Sequence, residues 1–409
     1  MAYKVLMFGW EFPPHNSGGL GTACFGLTRA LASEGADILF VLPKKLGDVS
    51  SDRMRILFAD TSSGAGTGSV EFQEVVSALT PYVNSKSYLF SDLDDEIAQS
   101  LYSNTLLGEV RNYALRARAI ARRERFDIIH AHDWLSFLAG IEAKKVSGKP
   151  LILHVHATEF DRTGGQGVNS NVYDIEKYSM EYADHIIAVS NFTKDQIVRH
   201  YGIVPEKISV VHNGIDPDFR SDVAPRLHKL KEQKNKIVLF VGRITIQKGP
   251  EYFVRAAKKV LEYYPKALFI VSGSGDMERQ MMTEAASLGV SDKVIFTGFL
   301  RGDDLIALYQ AADLFVMPSV SEPFGITPLE SIVNGTPVIV SKQSGVSEVL
   351  SHALKVDFWD TDELANKIVS VLENDSLKET LKKNGDEEVK TINWKSAAKK
   401  CATVYSMFL

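Results

Sequence analysis

Lys236-Ile237-Val238-Leu239-Phe240-Val241-Gly242 decides the fold class. An unbroken apolar run of this length, closed by a glycine, reads as a strand buried on both faces that enters a tight turn. The same pattern opens the chain in Lys4-Val5-Leu6-Met7-Phe8-Gly9. After each, short apolar runs alternate with longer segments of helical period, the mark of βαβ units around a parallel sheet. Strands are predicted at 5–8, 38–42, 128–131, 151–155, 185–189 and 208–211, then at 237–241, 268–271, 294–296, 314–317 and 337–340. The fold is therefore read as α/β, with two doubly wound, Rossmann-like domains. Ligand is expected in the crevice at the carboxyl ends of the strands.

The turn residues Asn213-Gly214-Ile215-Asp216-Pro217 and the polar stretch 222–235, which carries Pro225, mark the junction. Domains are assigned to residues 1–213 and 214–391. The remainder, 392–409, reads as a helix with Trp394, Ala397, Ala398, Cys401, Val404 and Tyr405 on one face, suited to pack back on the first domain. Residues 60–105 break the βαβ rhythm and read as an irregular insertion.

Composition narrows the function. The 409 residues allow two to three domains. Hydrophobic residues at 45% and charged residues at 24% exclude disordered, collagenous and coiled-coil classes. A net charge of -5 gives no footprint for nucleic acid. Cys24 and Cys401 are too few and too far apart for a disulfide framework or a thiolate metal site, so a cytoplasmic setting is expected. No apolar run reaches membrane-spanning length, and Lys4 within the first strand, ahead of Pro13-Pro14, does not read as a signal peptide.

Three segments carry chemistry. Ser17-Gly18-Gly19-Leu20-Gly21 stands between the first strand and a helical pattern, where glycines let amides approach an anion at a helix N-terminus. It is not a dinucleotide fingerprint: the third small residue is replaced by Cys24, and the second strand ends in Leu42-Pro43-Lys44 with no acid for a ribose. Arg243 and Lys248, in the turn after the first strand of the second domain, suit a diphosphate, the one by its fork and the other as a point charge. Glu322-Pro323-Phe324-Gly325-Ile326-Thr327-Pro328-Leu329-Glu330 runs from a strand end into a helix. Its two carboxylates could face the crevice and accept from vicinal hydroxyls of a sugar or ribose. Paired carboxylates also serve glycoside hydrolysis, which would not require the two cations.

Together these residues resemble the retaining nucleotide-sugar glycosyltransferases of the two-Rossmann-domain (GT-B) fold, in particular the glycogen and starch synthase group. The resemblance rests further on His130-Ala131-His132-Asp133-Trp134, His156, Gly273-Ser274-Gly275, residues 189–194 and residues 211–216. It implies that Arg243 and Lys248 hold the diphosphate, that Glu330 binds the ribose and that Glu322 binds the donor sugar. The backbone of Phe324, Gly325, Ile326 and Thr327, with Gly18, Gly19 and Gly273, would line the donor. His156 would lie against the hydroxymethyl edge of the sugar, and Asp133 near the acceptor side. The donor implied is a nucleotide-sugar such as UDP-glucose or ADP-glucose, the acceptor a glycan of the α-glucan type, and no metal or other cofactor is expected. Asn16, where synthases using ADP-glucose commonly carry a lysine two residues before the paired glycines, and Ser344-Gly345, where two glycines are usual, depart from the pattern. A different acceptor (lipid, surface polysaccharide or small sugar), a nucleotide-sugar epimerase and a glycoside hydrolase are the alternatives.

Other features read more simply. His130 with His132 and His154 with His156 each share a strand face, which could hold a metal; a structural or substrate role is preferred. Asp92-Leu93-Asp94 is read as a solvated charge run. Arg111, Arg118, Arg122 and Arg125 share one face of a predicted helix, a solvated stripe or a peripheral contact with anionic membrane. Trp10, Phe12, Trp134 and Phe160 stand near strand ends, as sugar platforms or as core.

Overall fold

A computed structural model describes residues 3–13, 19–43, 55–58, 106–216, 219 and 235–409. Two parallel sheets organise it. The first has seven strands, β1 (Lys4–Phe8), β2 (Asp37–Leu42), β3 (Arg55–Phe58), β4 (Ile128–His132), β5 (Leu151–Val155), β6 (His185–Ala188) and β7 (Ile208–Val210), in the order β3-β2-β1-β4-β5-β6-β7. The second has six, β8 (Lys236–Val241), β9 (Ala267–Ser272), β10 (Val294–Gly298), β11 (Leu314–Met317), β12 (Val338–Ser341) and β13 (Leu354–Val356), in the order β10-β9-β8-β11-β12-β13. In both sheets the order reverses beside the first strand, which creates the switch point where such folds take ligand. The apolar runs explain the register: Val5, Leu6, Met7 and Phe8 are all fully buried and pair with β2 on one side and β4 on the other.

Two strands escaped the sequence reading. Arg55–Phe58 and Leu354–Val356 are short edge strands, paired on one side only. In Leu354–Val356 the central Lys355 interrupts the apolar run, while Ile56-Leu57-Phe58 is a run of three.

The helix Trp394–Ser406 leaves the second sheet and lies on the first. Trp394, Ala397, Ala398, Cys401, Val404 and Tyr405 are buried in a cluster with Val5, Met7, Cys24 and Leu27. A Cβ built on Gly26 would stand 2.3 Å from the Trp394 ring, so the glycine is what lets the two helices meet. The two chain crossovers run side by side: Ile215 bridges Asn393, and a Cβ on Gly214 would strike that backbone at 2.3 Å.

Gly18, Ser17, Asn16, the insertion 60–105 with Asp92 and Asp94, and the polar stretch 222–234 lie outside the described residues. Among the described residues no helix is long and apolar enough to cross a membrane.

Candidate active site

The domains touch through loops at the carboxyl ends of their strands. After β6, Ser190 Oγ donates to the Pro323 carbonyl at 2.5 Å, which joins the cap of the helix Asn191–Tyr201 to the loop after β11. After β5, Asp161 Oδ1 accepts from Ser321 Oγ at 2.6 Å. After β12, Glu348 accepts from the Asn191 and Phe192 amides at 2.9 and 2.7 Å and pairs with His212 at 2.8 Å. These contacts bring the sequence-predicted segments of both halves to one crevice.

On the second domain, three loops converge. Lys248 Nζ donates to Glu322 Oε2 at 2.5 Å, and Ser319 Oγ donates to the same oxygen at 3.2 Å. Glu322 is buried, and these two donors meet its oxygen in place of water. Arg243 Nη2 donates to Gln247 Oε1 at 3.0 Å. The Gln247 carbonyl in turn accepts from the Val320 amide at 2.9 Å, binding the loop after β8 to the loop after β11. Gly273 carries φ 145°, and a Cβ there would lie 1.9 Å from the Gly242 carbonyl oxygen; Gly275 crowds Ile244 in the same way at 2.3 Å. The glycines of Gly273-Ser274-Gly275 thus serve first to seat this loop against the Arg243 turn.

Beyond Glu322, Gly325 takes φ 100° and turns the chain into the helix Thr327–Val333. Phe324 is buried, while Ile326 and Thr327 are half-buried. Gly345 is needed because a Cβ would stand 2.2 Å from the Pro323 carbonyl; the neighbouring Ser344 is itself buried and donates to the Ser341 carbonyl at 2.6 Å. Glu330 accepts from the Tyr309 hydroxyl at 2.8 Å. Burial raises its pKa to about 7, against the lowering effect of that hydrogen bond.

On the first domain, Gly19 opens the helix Gly19–Ser33 and is exposed. The anion expected at this helix start is partly supplied by the chain itself: the buried Glu11 carboxylate accepts from the Gly21 amide at 3.1 Å. Asp133, read as an acceptor-side group, has its Oδ1 on the His156 amide at 2.6 Å and the Ala157 amide at 3.3 Å. Burial raises its pKa to about 7, with Arg162 and the two amides pulling the other way.

His156 does not stand alone. His130, His132, His154 and His156 project from adjacent strand ends into one stack, with ring centroids 4.4 Å apart for His130–His132 and 4.3 Å for His154–His156. Across the strands, His130 Nε2 lies 3.2 Å from His154 Nδ1 and His132 Nδ1 lies 2.9 Å from His156 Nε2. Burial pushes His130 and His156 down to about 3, so the rings are neutral. Ligand-capable atoms of His130, His132 and His154 lie within 4.8 Å of one another, as do those of Cys24, His132 and His156. In both sets imidazole nitrogens are already hydrogen-bonded ring to ring.

Of the aromatic residues read either as platforms or as core, three are core. Trp10, Phe12 and Trp134 are buried, and Phe160 stacks on His200 at 3.9 Å. In the basic stripe, Arg118 pairs with Glu142 at 3.1 Å and Arg125 falls beyond the helix Leu106–Arg123; Arg111 and Arg122 are exposed on it. Glu11, Gln247, Tyr309 and Ser319 were missed by sequence reasoning, since a polar residue in a turn does not announce its partner, whether near, as Arg243 is to Gln247 and Glu322 to Ser319, or farther, as Glu330 is to Tyr309. Only Glu11, a lone carboxylate between strand and glycine loop, carried a local signal.

Two facing Rossmann-like domains with this crevice define a GT-B glycosyltransferase architecture. Residues 17–219 match the family model Glycosyltransferase Family 4 and residues 226–388 match Glycosyl transferases group 1. The chain belongs to these glycosyltransferases. It is 29% identical to an uncharacterized glycosyltransferase of Methanocaldococcus jannaschii, over 99% of this chain and 98% of that one. With the glycogen synthase of Mycobacterium tuberculosis it shares 26% over 98% and 94% of the two chains. With a D-inositol 3-phosphate glycosyltransferase of Salinispora arenicola it shares 30% over 71% of each. The fold is also that of sucrose-phosphate synthase from Thermosynechococcus elongatus (TM-score 0.76, 21% identity, 99% and 98% covered). Anabaena HepE in complex with UDP-glucose is a further structural neighbour (TM-score 0.71, 18% identity, 99% and 100% covered).

Proposed function

We propose that this glycosyltransferase moves a hexosyl group, with glucose the first candidate, from a nucleoside diphosphate sugar to an α-glucan, with retention of anomeric configuration and without a metal. The observation that carries the reading is the junction of Lys248 with Glu322, beside Arg243, at strand ends that face the other domain. A hydrolase needs two carboxylates flanking one bond; here one carboxylate is matched to a cation. In the proposed reaction the bond from the anomeric carbon to the phosphate oxygen breaks and an acceptor hydroxyl oxygen bonds to that carbon. Its proton passes to the departing phosphate oxygen. Arg243 and Lys248 stabilise the diphosphate charge as it develops, the largest electrostatic service a site can offer here. Glu322 and His156 hold the sugar, Glu330 holds the ribose, and Gly18, Gly19, Gly273 and the backbone of Phe324 to Thr327 line the donor.

The glycogen synthase relative, matched over nearly the full length, supports a glucan acceptor. The test is a screen of UDP-glucose and ADP-glucose, counting released nucleoside diphosphate with and without glycogen. Release that requires glycogen supports the proposal. Sugar freed from glycogen without nucleotide, or donor altered without any acceptor, overturns it; release driven only by inositol phosphate or a sugar phosphate overturns the acceptor alone.

A further inference from the structure

His156 is gripped from two sides by consecutive residues. Its ring meets His132 Nδ1 at 2.9 Å, and its backbone amide meets Asp133 Oδ1 at 2.6 Å. Both grips issue from the end of β4 and act on the end of β5.

Asp133 holds its side under strain. With φ 57° and ψ 168° it is the one non-glycine with positive φ among the described residues. That region is essentially reserved for glycine, so a side chain there is strained. The cost is not incurred for helix capping: Asp133 is the N-cap of the helix Trp134–Ser147 yet makes no side-chain cap hydrogen bond. What the conformation does is aim the carboxylate sideways, onto the His156 and Ala157 amides.

His132 fixes the ring. A hydrogen bond between two neutral imidazoles needs one donor and one acceptor, so its direction sets both tautomers. His132 is fully buried and its Nε2 has no hydrogen-bond partner. A proton on that nitrogen would be an orphaned buried donor, which is rarer and costlier than an orphaned acceptor. The proton therefore belongs on His132 Nδ1, which donates to His156 Nε2. His156 is then the Nδ1–H tautomer, its proton on the nitrogen that His132 does not engage.

We infer that His132 and Asp133 are positioning residues, which together fix the tautomer and the place of His156. Asp133 acts through its hydrogen bonds to the loop and not as a proton acceptor for the incoming hydroxyl. The consequence for transfer rests on the proposed role of His156 at the donor sugar; the geometry of the clamp does not. Misplacing one contacting group by about 1 Å costs about 10²-fold in rate.

The test has one arm without substrate and one with it. In the full-length protein labelled with ¹⁵N-histidine, long-range proton–nitrogen spectra should show His156 protonated at Nδ1 alone. That signature should survive in His132→Asn, whose amide reaches the place of Nδ1, and turn into an average of tautomers in His132→Phe. A wild-type His156 protonated at Nε2, or an unchanged His156 spectrum in His132→Phe, overturns the clamp whatever the enzyme transfers. In the substrate arm, glycogen and whichever of UDP-glucose or ADP-glucose the wild type uses are the probes. Asp133→Asn keeps an acceptor oxygen and should lose less than tenfold in kcat, whereas Asp133→Gly, free of strain but without the grip, should lose about 10²-fold with KM little changed. Equal losses in the two variants would make Asp133 a proton acceptor and overturn the inference. If the wild type turns over neither donor, the functional proposal has failed and the spectra alone decide the clamp. Thermal melts on every variant separate these outcomes from unfolding.

Discussion

Lys248 and Glu322 neutralise each other at 2.5 Å, although 74 positions separate them in the chain. The pair joins the loop after β8 to the loop after β11 and leaves the crevice with a cation that already has a partner. In the proposed reaction a diphosphate arriving there must compete with Glu322 for Lys248 or share it.

Lys248→Ala removes that cation and leaves the buried Glu322 carboxylate with the Ser319 hydroxyl as its side-chain donor. Turnover should fall by two or more orders of magnitude, the usual scale for an electrostatic stabiliser of a leaving group. Steady-state kinetics with the active donor would show it, and near wild-type kcat would remove Lys248 from the chemistry.

Glu330 gives a pH signature with a defined sign. Its folded pKa, about 7, lies above the unfolded value near 4.5. Its favourable contribution to stability is complete below the unfolded value and is lost as pH rises through about 7. Glu330→Gln should therefore gain in Tm relative to wild type between pH 5 and 8. For the proposed ribose contact the sign is opposite, because the ionised carboxylate is the better acceptor for two ribose hydroxyls. Calorimetry with free UDP or ADP should find the advantage of wild type over Glu330→Gln shrinking below pH 7.

Gly26→Ala tests the docking of the last helix. The added methyl would overlap the Trp394 ring, and overpacking of this kind costs about 1–3 kcal/mol. Urea denaturation should show it as a lower midpoint. An unchanged midpoint would mean the helix shifts at no cost.

Tyr405→Phe reports on the histidine stack from behind. The Tyr405 hydroxyl lies 2.5 Å from His130 Nδ1 in the core. Its loss leaves a buried nitrogen unpaired, at about 1–3 kcal/mol. The His130 signals in the ¹⁵N-histidine spectrum should move while those of His156 stay, since the two cross-strand hydrogen bonds are separate.

Much of this was legible in the chain. The apolar runs at β1, β4, β5, β8 and β11 announce themselves because a strand covered on both faces must be apolar throughout. Arg243, Lys248 and the Glu322-to-Glu330 segment were singled out because turns at strand ends and opposite charges are local facts, and Gly273 entered through the family resemblance. Ile56-Leu57-Phe58 is apolar but short and was not singled out; Leu354–Val356 was not legible, because an edge strand paired on one side tolerates Lys355 at its centre. Nor was the burial of Trp10, Phe12 and Trp134, since an aromatic residue serves a core as well as a sugar.

By itself the sequence determined two parallel α/β units and the residue types gathered at their strand ends, because hydrophobic periodicity and turn chemistry are properties of neighbours in the chain. Only the tertiary structure decided the partners: Lys248 with Glu322, Arg243 with Gln247, Glu11 with the Gly21 amide, Asp133 and His132 with His156. Lys248 with Glu322 joins loops far apart in sequence, and even Arg243 with Gln247, neighbours in one turn, pair only through the way that turn folds. A buried charge or a buried ring nitrogen takes its chemical state from whatever the fold places within about 3 Å of it.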